Sequence, residues 1–426
     1  MSTARRFQLG RLQTLGCLFG ALGLYLVGYV ASHLDDVSKA VTFEPPPEPL
    51  QLGFRPGVVV ATIGAMFLVT AAVSLVGSRA PQLVRGCLIV SALLCIPLVV
   101  VVALALSDAP NTNVMQLLVE SLKLGTPVAL GAMAGLWCER AGVVNIGIEG
   151  MMLSAAAVGF MVYALVGDAA STSALWLAVL AAVLTGGLVA LLHAVLSVSF
   201  RVDQIISGVV INLLALGATG FIRSEVIVPT GISSGVSTSP IALPGLSSIP
   251  VVGSQLFTAK PIFFAMFVIV AASSVVLFRT AFGLRVRSCG ENPKAAETLG
   301  IDVIRIRYTA VVIGGLIAGL AGAWFSLESQ AGFEDNMTNG AGFIALAALI
   351  FGKWRPSTAF AGAILFGFTR ALGSRLQLLG VTVGDFSIPS ELWQSLPFVV
   401  TIVVVAGVVG RAAAPAADGV PFERSR

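Results

Sequence analysis

Charge is what this chain has least of. Of its 426 residues 11% are Asp, Glu, Lys or Arg, 57% are hydrophobic, and the mean hydropathy is +0.96. A soluble domain carries about 25% charged residues, so a solvated globule is excluded. Histidine is confined to His33 and His193, which removes histidine-based metal chemistry. The five cysteines, at 17, 87, 95, 138 and 289, stand singly; an odd, dispersed set argues against a disulfide framework or a zinc site. Lysine occurs only at 39, 123, 260, 294 and 353, never followed by Ser or Thr. The phosphate-cradling pattern G-x-x-x-x-G-K-[ST] is therefore missing, and the chain cannot use ATP itself. No His cluster or paired Asp motif is present either. No catalytic residue, metal ligand or cofactor of its own is expected, and the net charge of +4 is read as a topology signal that calls for no nucleic-acid partner.

What the chain has instead is long apolar runs. A membrane span needs about 20 apolar residues, and twelve candidates are read at 9–31, 56–77, 86–107, 114–137, 143–166, 174–200, 205–222, 261–281, 308–328, 341–352, 357–379 and 393–410. The expected fold is an all-α polytopic membrane protein, with Leu9 to Ala31 read as a retained first helix. Segment 341–352 is too short for a regular span and reads as half of a broken or re-entrant helix. With a cytoplasmic N-terminus, Arg79, Arg85, Arg140, Arg201, Arg285, Arg287, Lys294, Arg305, Arg307, Lys353, Arg355 and Arg411 fall inside. Asp35, Asp36, Glu44, Glu48, Asp108, Asp168, Glu225, Glu334, Asp335 and Asp385 fall outside. This distribution obeys the positive-inside rule, with both termini cytoplasmic. Three regions are expected: a three-helix extension at 1–107 with a Pro-rich outer loop (Pro45, Pro46, Pro47), a polar-bearing core at 111–410, and a disordered tail at 411–426.

The most informative stretch is ERAGVVNIGIEGMM, Glu139 to Met152. Read as helix, it sets Asn145 and Glu149 four residues apart on one face. Moving a carboxylate into hydrocarbon costs about 2.5 kcal/mol or more, so such a group faces a cavity or a partner. The glycines at 142, 147 and 150 permit either close helix approach or a break where a ligand meets backbone. Asn145 and Glu149 thus line a pathway or clamp helices together, Glu149 with Arg370 as its partner. Glu139 and Arg140 belong to a cytoplasmic turn or to a break within the bilayer. The fourth span ends GLWCERAG and the tenth LIFGKWRP, a faint parallel repeat, and paired interrupted helices often bracket a transporter's binding site.

Elsewhere Asn212 is a mid-span asparagine that lines the pathway or bonds across helices. Asp203 and Gln204 open the seventh span. His193 reads as a satisfied core histidine, and Trp137 and Trp354 as interfacial anchors. The loop 326–342 crowds Glu328, Phe333, Glu334, Asp335, Asn336 and Asn339 beside the short tenth segment. One aromatic with several hydrogen-bonding groups suits a polar, base-bearing ligand or a docking protein. The Ser- and Pro-rich loop 223–260 is a second docking surface. In the basic loop 282–307, Asn292 suits an N-cap, Pro293 the first helical position and Gly300 a C′ stop, so Pro293 to Leu299 should form a short surface helix.

ERAGVVNIGIEGMML (139–153), DQIISGVVINLLALG (203–217), FGLRVRSCGENPKAAETLGI (282–301) and GFIALAALIFGKWRP (342–356) resemble the permease subunits of bacterial ABC importers. The similarity is to the ribose and branched-chain amino acid permease branch, and above all to nucleoside importers. It covers residues 111 to 410, and the helices at 1–107 depart from the shorter family pattern. The resemblance implies an ATP-driven importer of a small polar solute, most readily nucleosides, with a sugar such as ribose or an amino acid as alternative cargo. It implies as partners a separate ATPase subunit holding ATP and Mg, a second homologous permease in a heterodimer, and an extracytoplasmic substrate-binding lipoprotein. The location implied is the bacterial cell membrane, multi-pass. GENPKAAETLGI would be the coupling helix, making Glu291, Asn292, Lys294 and Glu297 ATPase contacts. The substrate-pathway residues are then Asn145, Glu149, Asn212, Phe333, Glu334 and Asn336.

Overall fold

The computed structural model describes residues 11–34, 38–43, 51–76, 80–107, 111–166, 172–232, 237–250, 253–378, 382–383, 386–387, 389–399 and 413–424. Asp35, Asp36, Glu44, Pro45 to Pro47, Glu48, Arg79, Asp108, Asp168, Asp385, Arg411 and the last eleven positions of the twelfth span lie outside the described residues.

Among the described residues nine helices are long and apolar enough to cross a membrane. They are α1 (Leu12–His33), α2 (Pro56–Val76), α3 (Pro81–Ala105), α4 (Val114–Arg140), α5 (Ile148–Val166), α6 (Thr172–Ser199), α7 (Gln204–Thr230), α8 (Pro261–Arg279) and, after two short helices, α11 (Val303–Ser329). The short pair is α9 (Ala281–Glu291) and α10 (Pro293–Thr298). The eleven-residue α12 (Ala341–Phe351), the longer α13 (Pro356–Leu378) and the one-turn α14 (Ser390–Gln394) complete the series. The polytopic all-helical reading stands, with one correction at the fifth span. Residues 141–147 leave helical geometry, so α5 begins at Ile148 rather than 143, and Asn145 does not share a helix face with Glu149.

Local chemistry sets the helix starts. Proline stands at the first or second position of α3, α8 and α10, where its missing N–H costs nothing. Asp203 caps α7 through Ile205 N (2.9 Å) and Ile206 N (3.0 Å), Thr280 caps α9, Asn292 caps α10 and Asp302 caps α11.

The chain divides into two compact units, Met1–Leu118 with Ala371–Leu396, and Val119–Arg370 with Pro397–Arg426. The three-part division expected above thus differs: part of the eleventh-to-twelfth region groups with the extension, and the tail groups with the core. In the first unit α1 packs on α2 through Phe19 and Phe67 (ring centroids 5.1 Å apart), and Thr70 of α2 bonds Ser91 of α3 (2.8 Å). A three-stranded sheet joins the helix ends: β1 (Lys39–Thr42) lies between antiparallel β2 (Gln51–Phe54) and parallel β3 (Asn111–Asn113). Arg375 reaches this sheet at Thr112 Oγ1 (3.1 Å).

The second unit is built on α5, α6 and α11, which approach backbone to backbone. A Cβ on Gly319 of α11 would stand 2.6 Å from Ala182 O of α6, and one on Gly159 of α5 3.3 Å from Ala178 O of α6. In lipid no hydrophobic force separates one apolar helix from another, so such small-residue contacts carry the association.

Candidate transport site and coupling surface

The centre of the second unit is the break between α4 and α5. An irregular segment among apolar helices leaves backbone polar groups that lipid cannot satisfy. Here side chains from α6 and α7 satisfy them. Val144 N donates to Gln204 Oε1 (2.7 Å), and His193 Nε2 bonds Val144 O (3.0 Å) while its Nδ1 meets Ser207 Oγ (3.0 Å). Asn212 closes the far end, donating from Nδ2 to Ile146 O (3.1 Å) and accepting at Oδ1 from Gly150 N (2.8 Å). His193, expected as a plain core residue, and Gln204, expected at a helix mouth, are therefore the clasps of the break. Spacing in sequence gives no sign of this, because each clasp lies at least 49 residues from its partner.

Asn145 is fully buried in the break. Among the described residues its amide nitrogen has only sulfur partners, Cys138 Sγ (3.4 Å) and Met151 Sδ (3.5 Å), and its Oδ1 has no hydrogen-bond partner. Among the described residues it is the buried pathway candidate whose acceptor is unpaired.

Glu149, also buried, is occupied. Its Oε1 accepts from Thr338 Oγ1 (2.6 Å) and Gly340 N (2.8 Å), and its Oε2 from Gly342 N (2.6 Å). It thus caps α12 at the positive end of that helix's dipole. Among the described residues no ion pair joins Glu149 to Arg370, so the clamp has a different partner from the one expected. At about 1.5 Å per residue, the eleven residues of α12 cover roughly half a bilayer, in line with a broken helix whose inner end needs this cap. Glu328 repeats the device. It accepts from Ile262 N (2.7 Å) and Phe263 N (3.1 Å) at the start of α8, with Thr238 at 3.4 Å. Lys260 beside it bonds Ser237 (2.6 Å), and burial lowers the Lys260 pKa.

Of the loop 326–342, Phe333 is buried in the core, whereas Glu334, Asp335, Asn336 and Asn339 are exposed, Asp335 pairing with Arg223 (3.0 Å). The structure therefore brings Asn145, Glu149 and Asn212 together around the break, while Glu334 and Asn336 stand at a surface. A cavity of about 230 Å³ lies near Trp176 and Ser237 to Ser239, next to the 223–260 loop.

The two faintly repeated segments meet. Trp354 Nε1 donates to Glu139 Oε2 (2.5 Å), and Arg140 donates to Trp354 O through Nε (2.9 Å) and Nη2 (2.6 Å). Neither tryptophan is an interfacial anchor: Trp354 is buried on Glu139, and Trp137 is buried with Nε1 on Ser273 Oγ (3.0 Å).

The loop 282–307 folds as its residues dictate. Asn292 Oδ1 accepts from Ala295 N (3.1 Å), and Gly300, at φ +81, ends the helix. Gly300 N bonds Glu297 O (2.8 Å) and Ile301 N bonds Ala296 O (3.1 Å), the double closure of a Schellman stop. Of the four expected ATPase contacts, Asn292 is engaged as the cap and Glu291 faces Arg140 (3.7 Å). Lys294 is exposed, Glu297 is half-buried, and Leu299 at the helix tip is 81% exposed. Leu299 carries no sequence mark of its exposure, which is set by the helix stop at Gly300.

The expectation of a disordered tail fails for residues 413–424, which lie packed on α9, α10 and α11. Ala417 N bonds Gly290 O (2.8 Å), Arg307 Nη1 bonds Val420 O (3.0 Å), and Phe422 is buried with Cys289, Ala296 and Val303. Arg201 pairs with Glu423 (2.6 Å) and Arg424 with Asp302 (3.2 Å). The composition reads as unstructured because it is Ala- and Pro-rich; the one buried aromatic overrides it.

Comparison with known proteins agrees with this architecture. Residues 117–405 match the family described as branched-chain amino acid transport system / permease component. The chain is 39% identical over 313 residues to the guanosine ABC transporter permease protein NupQ of Bacillus subtilis, covering 72% of this chain and 96% of that one. It is 39% identical over 319 residues to the nucleoside ABC transporter permease protein NupC of Lactococcus lactis, covering 74% and 99%. It is 37% identical over 267 residues to the putative glucose ABC transporter permease protein TsgC13 of Haloferax volcanii, covering 63% and 79%. No solved structure matches. The match to the family model begins after the three-helix extension, and from there the chain belongs to the branched-chain amino acid transport system / permease component family.

Proposed function

We propose that this chain is the membrane-spanning permease of an ATP-driven importer that carries nucleosides across the cell membrane. The observation that carries the reading is its 39% identity, across nearly the whole of each relative, to two permeases named for guanosine and nucleosides. The geometry supports it. A nucleoside is uncharged and rich in hydroxyl and amine donors, and Asn145 holds an unused acceptor in the break. On opening, that acceptor meets the solute, while Asn212 and Glu149 keep the ends of the break and α12 in place. Glu334 and Asn336 face the extracytoplasmic binding lipoprotein.

The chain lacks a phosphate-binding loop, so ATP and Mg reside on a partner ATPase. That partner seats on α10, where Lys294 and Leu299 are exposed and Glu291 and Asn292 fix the helix. An apolar knob such as Leu299 fits a groove on a protein better than it fits water. A second, homologous permease completes the pathway. A second reading, a sugar as cargo, is favoured by the 37% identity to the putative glucose permease.

Uptake of labelled guanosine, adenosine, uridine, ribose and glucose in cells with and without the gene separates the two readings. Loss of nucleoside uptake alone is expected. Loss of ribose or glucose uptake with nucleosides untouched would overturn the assignment.

A further inference from the structure

The coupling helix is short, and something must back it. α10 has six residues, too few to be stable by itself, and its one buried residue is Ala296. Ala296 is buried in a cluster with Phe422, Cys289 and Val303. The chain segment that carries Phe422 also reaches the break. Arg307, 1% exposed, donates from Nε to Ala141 O (3.2 Å) and from Nη1 to Val420 O (3.0 Å), so one guanidinium holds both. A Cβ on Gly142 would stand 3.0 Å from Ala417 O, and one on Gly419, at φ +76, 3.3 Å from Val144 Cγ2. Ala417 N on Gly290 O (2.8 Å) and Ala416 N on the Glu291 carboxylate (3.3 Å) fasten the segment to the end of α9. The exposed pairs Arg201–Glu423 and Arg424–Asp302 add little, since solvated ion pairs are weak. Ordering an Ala- and Pro-rich chain end costs conformational entropy, which the buried Phe422 and these backbone bonds offset.

We propose that residues 413–424 are a strap, with Phe422 its principal positioning residue, that binds α10 to the break at 141–147 so that the two move as one body. A push on α10 then displaces the segment that carries Asn145; without the strap the push turns α10 in place. The inference rests on the reading that α10 seats the ATPase.

The test uses the complete importer in liposomes, with its ATPase, partner permease and binding lipoprotein. Three variants are compared with wild type: a chain stopped after Ala412, Phe422→Ala and Phe422→Leu. Four quantities are read: ATPase retained on affinity purification, ATP hydrolysed, labelled guanosine imported per ATP, and maleimide labelling of Cys289 in a chain whose other four cysteines are replaced. Cys289 is fully buried, and burial pushes its thiol up to about 11, so it reacts slowly while the strap is seated. Phe422→Ala and the truncation should retain the ATPase and its hydrolysis, import at least tenfold less solute per ATP, and label Cys289 at least tenfold faster. Phe422→Leu should recover half or more of the import per ATP.

Unchanged import per ATP in Phe422→Ala with faster Cys289 labelling would overturn the strap. Unchanged labelling in the truncation would do the same. Should the truncated chain fail to accumulate, Ala417→Pro, which removes the amide bonded to Gly290 O, carries the same readouts. Leu299→Asp separates the two readings. If the ATPase is still retained on that variant, docking on α10 is wrong. If it is lost while Phe422→Ala imports normally per ATP, only the strap is wrong.

Discussion

Replacing Glu149 by Gln removes a charge and turns one acceptor into a donor while changing little in volume. The carboxylate takes three hydrogen bonds of 2.6 to 2.8 Å from Thr338, Gly340 and Gly342. Bonds to a charged group are worth about 1.5–3 kcal/mol each, roughly twice a neutral bond. A glutamine can keep its oxygen toward Thr338 and Gly340, at about half the former strength. Its NH2 then faces the N–H of Gly342, so that bond is lost outright and a buried donor is left unpaired. The gross loss in bonds is about 3–6 kcal/mol, from which the easier burial of a neutral group returns a part. A net destabilisation of about 2–4 kcal/mol is expected, and Thr338→Ala should cost about half as much. Unfolding of the purified permease in mixed micelles by sodium dodecyl sulfate measures both. Import should fall in proportion to the folded fraction, with the KM for solute unchanged. Wild-type stability together with a KM raised tenfold would refute the cap and make Glu149 a solute ligand.

Gly319→Leu should prevent accumulation of folded protein, because a Cβ already stands 2.6 Å from Ala182 O and 2.8 Å from Val183 Cα and overpacking costs about 1–3 kcal/mol even where neighbours yield; fluorescence-detected gel filtration reports it, and a normal profile would refute the packing argument. Glu328→Gln should destabilise by about 2 kcal/mol through loss of one N-terminal bond of α8, read in the same detergent titration; no change would show the cap to be idle. Burial raises the Asp418 pKa, with Arg307 opposing. A carboxyl raised in the folded state favours its protonated form, so the strap is tightest at acid pH and loosens as pH rises above the ordinary carboxylate range. Cys289 labelling of wild type relative to Asp418→Asn should therefore be higher at pH 8 than at pH 6, and an equal ratio at both would contradict the sign.

The spans and the loop at 282–307 are legible because their determinants are local. Run length marks a helix in lipid, and Asn292, Pro293 and Gly300 each answer to a backbone requirement within six residues. The break was visible only as an alternative: the spacing of Asn145 and Glu149 fits a helix face as well as a chain that has left it. What decided against helix is distributed over α6 and α7, in His193, Gln204 and Asn212, none of which carries a sequence mark of its role. The tail misleads for the opposite reason. Its composition favours disorder, and the force that seats it is one aromatic ring whose receptor comes from residues more than a hundred positions earlier.

Polar residues within the apolar helices of this protein do not by themselves mark where a solute binds. A broken helix at membrane depth exposes amides that lipid cannot bond, so each break must recruit side chains from elsewhere, and those side chains resemble binding residues in sequence. Glu149 is consumed by the first turn of α12, Glu328 by that of α8, and Asn212 by the junction of the 141–147 segment with α5. The discriminating property is therefore unspent hydrogen-bonding capacity, which only the folded geometry reveals. By that measure Asn145 ranks above the other buried candidates in the pathway, since its oxygen is buried, is unpaired among the described residues, and is set in the segment that we propose the strap moves.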